Sequence, residues 1–168
     1  AKVPVNGRVA LLAVGGYGRG ELAPFSDLDL LLVHDGARAI EDFASNLWYP
    51  IWDAGLKLGH SVRTVAETMK LANDDLDTAT GILTVRFLAG EKSLADEVAK
   101  GASTNWLNPK KSWLRQLHAR VLERQQKAGE VAFLLEPELK EGMGGLRDIH
   151  AIGWALSAGL VLSAEDTI

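Results

Sequence analysis

Between Arg8 and Val14 the sequence RVALLAV is apolar at nearly every position and stops at Gly15-Gly16. An apolar run of that length, bounded by glycine, predicts a buried strand. From Leu28 the pattern LDLLLVH alternates. Leu28, Leu30 and Leu32 fall on one face of a second strand, and Asp27, Asp29, Leu31 and Val33 on the other. Ile40, Phe43, Ala44, Leu47, Trp48, Ile51 and Trp52 then recur at steps of three and one. They predict one helix, ended near Gly55 and kinked in its last turn by Pro50. KLGHSVRTV reads as a third strand, after which Thr64 and Glu67 form the capping box of a short helix.

Beyond Asp74 the pattern becomes helical throughout. One helix is predicted over 77–88, and a second between Pro109 and Gly129 on the stripe Leu114, Leu117 and Val121. A third runs from Leu146 to about Leu160, after the polar, glycine-bearing stretch EPELKEGMGGLRDIH. The expected fold class is therefore α/β. A small mixed core occupies residues 1–72, and a helical extension packed on it occupies 73–168 and includes the 136–150 segment. Trp48, Trp52 and Trp113 fall on helical stripes and are expected in the core. The chain begins a few residues before a strand and stops just after a helical pattern, which predicts a piece of a longer protein.

Composition changes this picture little, but it excludes several classes. The formal charge of −4 gives no bulk attraction for nucleic acid, so no nucleic-acid partner is expected. Cysteine is absent, which removes disulfides and thiolate metal sites. No apolar run approaches the roughly 20 residues of a membrane span, so no membrane partner is expected and a cytoplasmic location is. His34, His118 and His150 show no metal-ligand spacing.

The chemistry concentrates in VGGYGRGELAPFSDLDLLLV, Val14 to Val33. A phosphate loop of the G-x-x-x-x-G-K-[ST] type is excluded, because no lysine follows the glycines. Gly18, Gly20 and Ala23 satisfy the dinucleotide pattern G-x-G-x-x-A. However, the next strand starts near Leu28, leaving no room for a crossover helix, and Pro24 would break one. The remaining reading treats the turn and the aspartates as one device. Asp27 and Asp29, two apart on a strand, project carboxylates from the same face and repel unless a cation joins them. A hard divalent ion does so, taking carboxylate and phosphate oxygens together. The glycine loop supplies backbone N–H groups that cradle the phosphates, and Ser26 adds a hydroxyl. A β-branched residue at Gly16 would block that approach and strain a positive φ.

These residues resemble the DNA polymerase β-type nucleotidyltransferase superfamily, whose signature is hG[GS] followed by D-h-D. More narrowly, GYGRGEL, SDLDLL, GHSVRT and EPELKEGMGGLRDIH resemble, in order, the nucleotidyltransferase domain of the bacterial PII uridylyltransferases. The resemblance covers nearly the whole chain. It implies transfer of UMP, or in some relatives AMP, from UTP or ATP to a tyrosine of a PII signal protein, with Mg²⁺ or Mn²⁺ as cofactor and pyrophosphate released. It implies Gly15 and Gly16 as the phosphate-binding pair, and Asp27 and Asp29 as catalytic metal ligands. The superfamily often carries a third carboxylate on the neighbouring strand, and LGHSVRTV has none: Ser61 or Val62 stands there. Asp148, Glu141 and His60 are the candidates for the third acid or the base. Arg63 is a candidate phosphate clamp or a salt-bridge partner. Lys140 and Arg147 are candidates for nucleotide contact or for fixing a helix start. Two other readings fit part of the pattern: an adenylyltransferase acting on glutamine synthetase, which shares a GGLRD-like block, and a nucleotide-binding regulatory module that has lost catalysis.

Overall fold

The computed structural model describes residues 6–107, 110–128, 135–136 and 138–159. Two compact units emerge, Ala1–Asn105 and Trp106–Ile168. The first is built on a four-stranded sheet of order β3-β2-β1-β4, with β1 Val9–Ala13, β2 Leu28–His34, β3 Leu58–Thr64 and β4 Arg86–Gly90. β1 is antiparallel to both β2 and β4, whereas β2 and β3 are parallel. A parallel pair needs a long crossover, which α2 (Ile40–Asp53) supplies. The antiparallel β1–β2 pairing leaves no dinucleotide-type βαβ unit at the glycines.

The alternation in β2 is realised, and both of its faces are covered. Leu30 and Leu32 pack with Ala44 and Trp48 of α2, joined by Leu11 and Val62. Leu31 and Val33, on the opposite face, are equally buried. Trp48 is 3% exposed, and truncating a side chain of that size to alanine costs on the order of 3–5 kcal/mol. Trp52, one turn on, is 42% exposed and is not a core residue. It lies where α2 passes the sheet edge. α2 continues through Pro50 to Asp53, and Gly55 follows at φ +74. α3 (Val65–Asp74) starts on the Thr64–Glu67 capping box, in which the Thr64 amide donates to Glu67 Oε2 at 2.8 Å.

The helix predicted over 77–88 is corrected. α4 (Leu76–Ile82) is shorter, and β4 follows it as the fourth strand of the sheet. Val85, Phe87 and Leu88 favour a strand, and pairing with β1 outweighs the helical spacing of the preceding apolar residues. The sheet thus extends beyond residue 72. α5 (Lys92–Leu107), absent from the sequence reading, buries Leu94, Val98 and Trp106.

In the second unit α6 (Lys110–Ala128) and α7 (Leu146–Ser157) bring together Leu117, Ala151 and Ala155, flanked by Leu114, Val121 and Trp154. The Trp106 indole N–H donates to the Trp154 carbonyl at 2.9 Å and its ring stacks on Trp113. Trp113 is in the core, as expected. The predicted helix end near Leu160, and Pro137 within the 136–150 segment, lie outside the described residues.

Candidate active site

The glycines after β1 do not form an open loop. Gly15–Arg19 is a short helix, α1, which ends at Gly20 in the left-handed conformation. Val14 gives it no side-chain cap, so its first-turn amides have no intrahelical partner and their partial positive charge stays at that end. The Val14 amide donates to the Asp29 carbonyl at 3.0 Å, tying the start of α1 to the start of β2. Gly15, at φ +56, is the residue that needs glycine there, and a Cβ on it would lie 3.0 Å from Asp29 Oδ2. This corrects the expectation for Gly16, whose φ is not positive and whose Cβ would meet nothing nearer than the Glu21 carbonyl at 3.6 Å.

Asp29 is therefore half-buried between two bare backbones. Its partner across β3 is Gly59, and a Cβ on Gly59 would overlap Asp29 Oδ1. Glycine in a strand interior weakens it unless another group approaches closely, and here that group is a carboxylate. Gly59 was not picked out from the sequence, although a glycine inside an otherwise regular strand was the available signal. Asp27 sits just before β2 and is exposed, next to exposed Ser26. Between them and α1 runs a turn in which Phe25 holds φ +66 with its ring 95% exposed. Arg86 of β4, also missed, steadies α1: it donates to the Tyr17 carbonyl at 3.0 Å, and its guanidinium lies 4.7 Å from the Tyr17 ring centre.

The other candidates in the first unit lie elsewhere. His60 pairs in register with Leu30 and so faces α2, away from the Asp29 side chain. There its ring stands 5.3 Å from those of Trp48 and Trp52. Val62 shares that face, whereas Ser61 shares the face of Asp29. Arg63 is four residues beyond Gly59 along β3, about 13 Å at the usual strand rise, and its charge acts on Glu67.

In the second unit, each acidic candidate is engaged locally. Asp148 pairs with Arg124 and accepts from the Gly144 amide at 2.7 Å. Burial alone would raise its carboxyl, but the guanidinium and that amide outweigh it and hold the pKa below the usual carboxylate range. That suits a structural anion better than a base. Glu141 pairs with Arg147 at 3.3 Å, and Lys140 is exposed.

Asp27 and Asp29 are the residues able to hold a metal, and they fit a hard cation. They offer oxygen ligands only, and the two glycines beside Asp29 leave room for its carboxylate. Among the described residues no cluster of three or more acidic or histidine side chains could hold a metal.

The first turn of α1 and the two aspartates lie inside a stretch of the chain that matches a known family. Residues 2–81 match the nucleotidyltransferase domain family, and residues 114–165 match the GlnD PII-uridylyltransferase family. The chain contains a nucleotidyltransferase domain. Over 146 residues it is 48% identical to a bifunctional uridylyltransferase/uridylyl-removing enzyme of Streptomyces coelicolor, covering 86% of this chain and 18% of that protein. A protein of the same name from Mycobacterium tuberculosis is 44% identical over 145 residues, 85% of this chain and 18% of its own length. One from Phenylobacterium zucineum is 41% identical over 165 residues, 92% of this chain and 17% of its own. The chain thus spans less than a fifth of the length of the curated relatives it matches. No helix among the described residues is long and apolar enough to cross a membrane.

Proposed function

We propose that this nucleotidyltransferase domain transfers UMP from UTP to a tyrosine hydroxyl of a PII protein and releases pyrophosphate. The observation that carries the reading is Asp29, held between Gly15 and Gly59 at the mouth of an uncapped helix N-terminus. In this reading the first-turn amides of Gly15 and Gly16 take the triphosphate oxygens, helped by the Ser26 hydroxyl. Asp27 and Asp29 hold Mg²⁺ or Mn²⁺, which supplies charge neutralisation for the phosphates when bound. Fixed between two backbones, Asp29 would keep its carboxylate, and the cation it would hold, at one position beside the first turn of α1. The tyrosine oxygen forms the new P–O bond, the bond to the β-phosphate breaks, and the phenol proton leaves to solvent. His60 faces away from Asp29, and Asp148 and Glu141 are ion-paired, so in this reading the phenol proton is assigned to none of the three.

The test is to incubate the protein with a PII protein, metal and each labelled nucleoside triphosphate. Label from UTP on the PII tyrosine is expected, and it should disappear with Asp27→Ala and Asp29→Ala while both variants stay folded. Label from ATP alone would assign the adenylyl donor. The pair of aspartates without a third acid favours one second reading, a nucleotide-binding module without turnover; binding of UTP with no label on any acceptor would select it.

A further inference from the structure

β3 is an edge strand, and among the described residues no strand pairs with its outer side. None of its residues is fully buried. It contains no proline, so its outward backbone groups can receive another strand. Two features distinguish this edge. One strand inward lies Asp29, and the β3 residue between Asp29 and the edge is Gly59, which puts no side chain in the way. On the opposite face, beside α2, a groove of about 530 Å³ runs along β3. Trp48, Tyr49, Trp52 and His60 line it, with Glu41 and Arg63 near its other end. Tyr49 and Trp52 are 60% and 42% exposed, a large apolar area for an otherwise polar helix surface. The side chains of Lys57 and Arg63 flank the edge, and among the described residues neither side chain makes a hydrogen bond or salt bridge, although the Arg63 charge acts on Glu67.

We propose that β3 docks the acceptor protein as an added strand, an extended tyrosine-bearing segment with acidic residues near its ends. The inference rests on the protein-acceptor reading above. The geometry accounts for both faces at once. A residue of the added strand opposite Gly59 lies two strand spacings from Asp29, about 10 Å between backbones, and its side chain points to the Asp29 face. A tyrosine there directs its hydroxyl over bare Gly59 towards the carboxylate. Its two neighbours point to the other face, into the aromatic groove. Main-chain hydrogen bonds to β3 hold the segment, and the groove and the two cations set its register. The edge thus supplies what the missing third acid cannot, a fixed place for the attacking oxygen.

The test compares the wild-type chain with Trp52→Ala, Tyr49→Ala and Arg63→Glu, all at partly exposed positions, using a PII protein as probe. The KM for PII should rise about tenfold or more in Trp52→Ala and Arg63→Glu, with the KM for UTP unchanged. Hydrogen exchange should show alternate amides of residues 58–64 becoming protected when PII is added, and also when its tyrosine is replaced by phenylalanine. If the wild type labels PII but these variants keep its KM and the β3 amides stay unprotected, the docking proposal falls and the transferase reading stands. If no PII protein is ever labelled, the transferase reading falls and takes the docking with it. β3 amides already protected in the free protein, in proportion to its concentration, would make the edge a contact between copies and overturn the proposal.

Discussion

Gly59→Ala isolates the position of the Asp29 carboxylate from its presence. The backbone of Gly59 is not in the left-handed region, so alanine meets no conformational penalty there. Replacing a strand glycine by alanine instead gains about 0.5–1 kcal/mol from reduced chain entropy. Against that, the new Cβ would overlap Asp29 Oδ1, while Cγ and Cα of Asp29 stand at 3.6 and 3.8 Å, an ordinary contact. Rotation of the carboxylate alone relieves the overlap. An off-rotamer side chain costs about 0.5–1.5 kcal/mol. The two effects nearly cancel, so stability should change by no more than about 1 kcal/mol, or about 4 °C in Tm for a chain of this size.

The chemistry is less forgiving. A misplacement of about 1 Å in a group that aligns reactants can cost on the order of a hundredfold. Nucleotidyl transfer should therefore fall about a hundredfold, measured as label transferred per minute at saturating metal and nucleotide. Combining the substitution with Asp29→Ala adds a check, because two changes acting through one carboxylate cannot be additive. The double variant should be no less active than Asp29→Ala alone. Wild-type kcat/KM in a folded Gly59→Ala protein would refute the argument that Asp29 acts from between the two glycines.

Two further outcomes follow from the same contacts. Gly18→Ala should destabilise by about 1–3 kcal/mol, because its Cβ would strike the carbonyls of Thr84 and Ala13, the latter at 2.9 Å, whereas Gly16→Ala should leave the Tm within error; equal melting of the two would contradict it. Asp148 has a depressed folded-state pKa, so the stability it contributes is present above its unfolded value near 4 and lost as pH falls through the folded value. Asp148→Asn should accordingly flatten the loss of stability below about pH 4 in acid melts; an unchanged acid limb would mean its pairing with Arg124 does not matter.

What could be read in the sequence was whatever is encoded locally. β1, β2 and β3 announce themselves by alternation and glycine boundaries, α2 by its stripe, and α3 by a capping box that needs only Thr64 and Glu67. The segment 83–90 is ambiguous in the sequence because its apolar residues fit either period, and only pairing with β1 decides between them. The site shows the same division more sharply. Asp27 and Asp29 are legible as a pair two residues apart across the start of one strand. Gly59 is not, because its role depends on register: it matters only once β3 lies parallel to β2 with Gly59 opposite Asp29. Register also moves His60 out of consideration. A one-residue difference along β3 turns a side chain from the Asp29 face to the α2 face, and nothing in GHSVRT fixes that parity without its neighbour. The same parity gives β3 two different faces, with Gly59 bare beside the Asp29 carboxylate and His60 among the aromatic rings of α2. A strand with those two faces lies at the edge of the sheet, where an acceptor can reach both.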